Sequence, residues 1–124
     1  MVASYKKSHP RLVVFMRIRE RCKLLNRINE LVLDDIEQML DQPCEYCGDE
    51  ATTIDRRDSN VGYTKQNCAP CCLVCNILKK DVPYPAWLTI CVGVREARYR
   101  GLLHEWATKK HRTIGCRQTA KSTL

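Results

Sequence analysis

Two cysteine pairs constrain this chain more than any other feature. Cys44-Glu45-Tyr46-Cys47 and Cys72-Leu73-Val74-Cys75 each place two residues between their sulfurs, and twenty-four residues separate the pairs. A tight C-x2-C turn aims two thiolates at one point, and two such turns complete the tetrahedron that zinc prefers. Gly48 follows the first pair, where a knuckle needs a residue without a side chain. Cys68-Ala69-Pro70-Cys71 has the same spacing, so spacing alone leaves Cys68 and Cys71 as competitors for the metal. Cys22, Cys91 and Cys116 are isolated and read as small buried apolar residues or free thiols. Nine cysteines is an odd count, and no secretory signal precedes them, so a disulfide framework is a poor account. The expected setting is an intracellular, reducing compartment, with an organelle matrix or a virus particle as compatible cases.

The order of elements follows from periodicity and breakers. A chain of 124 residues holds one modest domain with extensions. Residues 11–41 contain no Gly or Pro. Apolar residues recur at Leu24/Leu25, Ile28, Leu31/Val32, Ile36 and Met39/Leu40, with Glu30, Asp34, Asp35 and Glu37 mostly between them. That spacing predicts one amphipathic helix, stopped by Pro43. The apolar run Leu12–Met16 has no period and leaves a short strand as an alternative there. Ala51–Arg56 reads as a strand, Asp58–Gly62 as a turn, and Tyr63–Pro70 as a return to the second cysteine pair. A helix is expected from about Cys72 to Asp81 and another from about Ala86 to Lys110, weakened near Gly101. The expected fold is a small zinc-stabilised α+β domain, a treble-clef ββα finger flanked by N-terminal and C-terminal helices. Its parts are a basic arm and amphipathic helix (1–43), the finger (44–82), a C-terminal helix (83–110) and a basic tail (111–124).

Charge is segregated along the chain. The net of +7 divides into +6 over residues 1–23, −5 over 24–94 and +6 over 95–124. Two basic ends flanking an acidic middle suit a polyanion partner, DNA or RNA. No apolar run approaches the length of a membrane span, and Leu12–Met16 is too short for a secretory core. The Arg-rich, acid-poor start is compatible with an organelle-targeting segment. Trp106 and Tyr99 are able to stack on exposed bases, and read more readily as core aromatics.

Residues 44–80 resemble the zinc-containing branch of the HNH endonuclease family. The resemblance rests on Cys44-x2-Cys47-Gly48, Ile54-Asp55-Arg56, Gly62-Tyr63-Thr64, Asn67 and Cys72-x2-Cys75-Asn76 with Lys79, in that order. It implies a structural zinc on Cys44, Cys47, Cys72 and Cys75, and sets Cys68 and Cys71 aside. It further implies that Asp55 and Asn76 hold a magnesium-like divalent ion, with Asn67 steadying the neighbouring general base. In the family that base is a histidine next to the Asp. In this chain the position is Arg56, which stays protonated far above neutral pH and cannot accept a proton from water. An arginine there binds phosphate instead.

The candidate nucleic-acid contacts are Arg56, Arg57, Lys79, Lys80, Arg95, Arg98, Lys109, Lys110 and Arg112. Lys79 shares a helix face with Cys75 and Asn76, where backbone phosphates would meet it. The sequence supports a zinc-binding, HNH-like, nucleic-acid-associated protein, a degenerate or weakened endonuclease, with catalysis left open. The alternative is a non-catalytic zinc subunit of a large assembly such as a ribonucleoprotein, a ribosome or a virus particle, with protein partners as well.

Overall fold

Pro10 occupies the first turn of α1 (Pro10–Leu25), where its missing N–H costs no helical bond. The structure is a computed structural model and describes residues 9–106. Ile18 and Cys22 of α1 turn inward, and Val14 and Phe15 rest on the same apolar cluster. The strand alternative for residues 12–16 is therefore not adopted. α1 ends at Asn26, whose φ of 51° is left-handed and whose N–H reaches back to the Cys22 and Lys23 carbonyls. Asparagine tolerates that conformation better than most residues.

The single helix expected across 11–41 is in fact two. After Asn26 the chain leaves helical structure and resumes it in α2 (Leu33–Leu40). Tertiary hydrogen bonds replace the missing helical ones: Tyr63 N–H donates to the Ile28 carbonyl (2.9 Å) and Glu30 N–H to the Tyr63 carbonyl (2.8 Å). Gly62 permits this approach, since a Cβ there would lie 2.5 Å from the Ile28 oxygen. Leu31, Ile36 and Leu40 are buried, whereas Leu24, Leu25 and Ile28 are exposed. Asp35, expected on the wet side, is buried because its Oδ2 accepts the Val32 N–H (2.9 Å) at the start of α2. Arg11 closes the other end of α2, donating to the Glu37 and Leu40 carbonyls and to Asp41 (2.7 Å). A cation there satisfies carbonyls that the helix itself leaves open.

β1 (Thr53–Arg56) and β2 (Cys68–Cys71) pair antiparallel, with Thr53 opposite Cys71 and Arg56 opposite Cys68. α3 (Leu73–Lys79) begins two residues after β2, and α4 (Tyr84–Tyr99) follows Pro83. The C-terminal helix is shorter than expected: α4 stops at Tyr99, and Gly101 turns the chain with φ +74°. Lys109, Lys110, Arg112 and Cys116 lie outside the described residues. Two clusters flank the hairpin. One gathers Ile18, Cys22, Leu31, Ile36, Leu40, Ala51, Ile54 and Cys68. The other gathers Cys44, Tyr46, Cys71, Cys72, Val74, Cys75, Trp87 and Cys91. Among the described residues, no helix is long and apolar enough to cross a membrane.

Candidate metal centre

The two cysteine pairs converge. The sulfurs of Cys44, Cys47, Cys72 and Cys75 all lie within 4.8 Å of one another. Cys47 Sγ and Cys72 Sγ are 3.6 Å apart, close to the roughly 3.8 Å that four Zn–S bonds of about 2.3 Å would set. Gly48, at φ +84°, closes the first knuckle, and its N–H donates to the Cys44 carbonyl (3.0 Å). The second pair sits at the start of α3. Backbone amides already face the sulfurs: Tyr46 N–H donates to Cys44 Sγ (3.4 Å) and Cys75 N–H to Cys72 Sγ (3.3 Å). Thiolates need such donors, so the four residues fit one soft, tetrahedral cation. Cys68 is buried in the other cluster, away from this centre. Cys71 is buried beside it and donates to Cys44 without completing the group.

Without a cation these sulfurs cannot all ionise. Hydrogen bonds from Cys71, Cys72 and Cys75 hold Cys44 strongly in its thiolate form. Burial pushes the Cys47 thiol up to about 12, and the hydrogen bond to Cys44 raises Cys75 far above its ordinary value. A dication reverses this balance, because each thiolate then gains a direct positive partner.

Two arginines of α4 reach the same centre. Arg95 Nη1 donates to the Tyr46 carbonyl (3.0 Å) and to Cys91 Sγ (3.4 Å). Arg98 pairs with Asp49, and its Nε is buried without a hydrogen-bond partner among the described residues. Burial would lower the pKa of Arg98. Asp49 more than offsets this, with help from Cys72 and Cys47. Four thiolates around one dication would carry a net charge of −2, and these two guanidinium groups lie where they would offset it.

Asp55, Asn76 and Lys79, the residues to which the resemblance and the helix face assigned metal and phosphate, have partners within the protein. Thr53 and Asp55 share the face of β1 that α3 covers, by the strand's period of two. Asp55 is 4% exposed and Lys79, on α3, is 0% exposed. Lys79 Nζ lies 3.4 Å from Asp55 Oδ1 and donates to the Arg56 carbonyl (2.9 Å). The Tyr46 hydroxyl donates to Asp55 Oδ2 (2.6 Å). Burial raises the Asp55 pKa, opposed by Tyr46 and Lys79, while burial and then Asp55 raise that of Tyr46. Asn76 Nδ2 donates to Thr53 Oγ1 (2.9 Å). Asp55 and Asn76 thus face α3 and β1 from opposite sides with protein partners of their own. The arrangement does not suit a divalent ion, because a buried ammonium already stands at the carboxylate. The sequence placed Lys79 on the face of Cys75 and Asn76. That face turns inward onto the hairpin, not out to phosphates.

Arg56 points the other way. Its Nη1 donates to the Ser59 (2.7 Å) and Val61 (3.2 Å) carbonyls, and its guanidinium lies over the Tyr63 ring at 5.4 Å. Asn67 closes the same turn, donating through Nδ2 to the Asp58, Val61 and Gly62 carbonyls while its Oδ1 accepts the Asp58 N–H. Arg57 grips Glu45 through two nitrogens (2.9 and 2.5 Å). Lys80 is exposed. Tyr99, read from sequence as core, is 90% exposed. Trp87 was expected on the apolar face of the C-terminal helix, and Tyr46, inside the first knuckle, was given no role of its own. Their rings meet edge to face at 5.4 Å and join the knuckle to α4.

No family model matches the sequence. Over 68 residues, 52% of this chain, it is 28% identical to an uncharacterised protein of Acanthamoeba polyphaga mimivirus, of whose length the match spans 13%. Among solved structures, the fold is similar to the rare-cutting HNH restriction endonuclease PacI. The TM-score is 0.61, over 73% of this chain and 81% of that one, at 17% identity. The chain has a small α+β, HNH-like fold with a four-cysteine centre able to hold one metal ion.

Proposed function

We propose that this chain is a zinc-stapled HNH-like module that binds nucleic acid and has given up phosphodiester hydrolysis. The observation that carries the reading is Lys79. Its ammonium lies against the carboxylate that would otherwise ligate the hydrolytic metal. Hydrolysis needs a cation to stabilise the leaving oxygen and a base to generate the nucleophile. Lys79 displaces the first, and Arg56 replaces the second. The HNH-like fold and the basic ends support nucleic acid as the partner. Zinc, held by Cys44, Cys47, Cys72 and Cys75, serves folding in this reading.

The test is cleavage of DNA and RNA by the purified protein with magnesium or manganese. No metal-dependent product is expected. Arg56→His should also remain inactive, because the ammonium of Lys79 persists. Metal-dependent cleavage by the unaltered protein, abolished by Asp55→Ala, defeats the reading.

A second reading, as a structural zinc subunit of a large assembly, is favoured by α4. Leu88, Val92 and Tyr99 are exposed on one helix face at i, i+4 and i+11. Protein partners would then cover that stripe, and the chain would co-migrate with them in size-exclusion chromatography of native extracts.

A further inference from the structure

We infer that α1 is a DNA-reading helix that lies in the major groove of a B-form duplex. This deepens the nucleic-acid reading above and rests on it. Ile18 and Cys22 mark the inward side of α1. At about 100° per residue, from 3.6 residues per turn, Arg17 and Arg21 fall on one flank and Arg19 and Lys23 on the other. All four are exposed, and none joins an ion pair with another described residue. Arg19 is held over the Phe15 ring at 5.3 Å, which sets the direction of that flank. Between the flanks, on the outermost line, run Val13, Met16, Glu20 and Leu24; Glu20 and Leu24 are exposed, Leu24 by 83%, and Val13 and Met16 are half-buried.

This cross-section matches a groove. A B-DNA major groove is about 12 Å wide and admits one α-helix. Cations on both flanks then meet the two phosphate walls. The short apolar line faces base edges, where thymine methyl groups are apolar and Glu20 can accept from a cytosine amine. The Arg19/Lys23 flank continues past the helix end. A cavity of about 560 Å³ is walled by Arg19, Lys23, Arg27, Asn26 and Asn29. Its cations and amides extend the phosphate track beyond Leu25. By contrast, Arg57, Lys79, Arg95 and Arg98 each already bond to a partner within the chain. A-form RNA has a deep, narrow major groove that excludes a helix, so the surface favours DNA over duplex RNA.

The test is fluorescence anisotropy of the full chain with a labelled DNA duplex, a matched RNA duplex and anionic phosphatidylserine vesicles. Affinity for the DNA duplex should fall steeply with salt. In the R17Q/R19Q/R21Q/K23Q protein it should drop at least 100-fold, and the log–log salt slope should shrink by about 3 to 4, near 0.9 per lost phosphate contact. Each flank alone, R17Q/R21Q or R19Q/K23Q, should lose about half of that slope, which keeps the test sound if the fourfold variant folds poorly. Zinc content and circular dichroism check folding. If the unaltered protein binds DNA and these variants bind with the same slope, the helix assignment fails while the nucleic-acid reading stands. If the unaltered protein binds no nucleic acid, the nucleic-acid reading falls and takes the assignment with it. Equal binding of the RNA duplex, or capture by vesicles in place of DNA, also overturns the assignment.

Discussion

Lys79 Nζ sits 3.4 Å from Asp55 Oδ1 with both side chains out of solvent, so one residue of α3 neutralises one residue of β1. The pair is held from three sides. The Arg56 carbonyl accepts from Lys79, the Tyr46 hydroxyl donates to Asp55, and the knuckle that carries Tyr46 is itself set by the cysteines.

Removing one partner of this pair strands the other. Lys79→Met should cost about 3–5 kcal/mol by leaving a buried carboxylate without its cation. Lys79→Met with Asp55→Asn should recover much of that loss. A denaturant double-mutant cycle checks it, and additive losses would show that the two groups do not interact.

The sequence made some of this legible and hid the rest for identifiable reasons. The two C-x2-C turns were readable from local spacing, but Cys68-Ala69-Pro70-Cys71 has the same spacing, and it was the family resemblance that singled out Cys44, Cys47, Cys72 and Cys75. Asp55 and Arg56 read as neighbours in one site because they adjoin in sequence. The strand's alternation sends them to opposite faces. Lys79 read as a surface cation, since its burial depends on a carboxylate twenty-four residues earlier. The break at Asn26 was masked because Ile28, Leu31 and Ile36 continue a helical rhythm across it. The left-handed cap at Asn26 and the long-range bonds of Tyr63 mark where the helix stops.

One zinc per chain is expected by elemental analysis. Cys44→Ser or Cys72→Ser should lose the metal and most of the fold, because about 10 kcal/mol or more of zinc binding is folding energy in small modules. Cys22→Ser and Cys91→Ser should keep full zinc content. A folded spectrum in excess chelator would contradict this.

Arg98→Gln should weaken zinc retention about 10- to 100-fold, the usual effect of removing a group that supports metal ligands. Arg98→Lys should fall between, having the charge without the planar fork. Competition with a chromogenic chelator measures both. An unchanged affinity for Arg98→Gln would mean that Asp49 alone accounts for the position of Arg98.

Burial pushes the Cys68 thiol up to about 12 from an ordinary value of 9.0. Between those values the folded chain keeps a proton that the unfolded chain releases, so this group makes stability fall as pH rises from about 9 to 12. Cys68→Ala should flatten that part of the pH profile. Native Cys68 should also resist iodoacetamide at pH 7.5 and react once the protein is unfolded.

Gly62→Ala should destabilise the fold by about 1–3 kcal/mol, because the new methyl would press on the Ile28 carbonyl 2.5 Å away and force the two segments apart. Thermal melting checks it. An unchanged midpoint would mean that the 26–32 segment yields freely.

The hairpin carries a cluster on each face: Ile54 and Cys68 belong to the apolar one, and Cys71 belongs to the sulfur-lined one. Neither side of the ribbon is left to water alone. A two-stranded ribbon is marginal by itself, so each cluster depends on the other to keep its middle wall upright. Withdrawal of the ion should therefore speed amide exchange at Ile36 and Leu40, in a helix that supplies no sulfur to the centre. The molecule would open as one unit, and the metal would govern the lifetime of the surface that α1 presents.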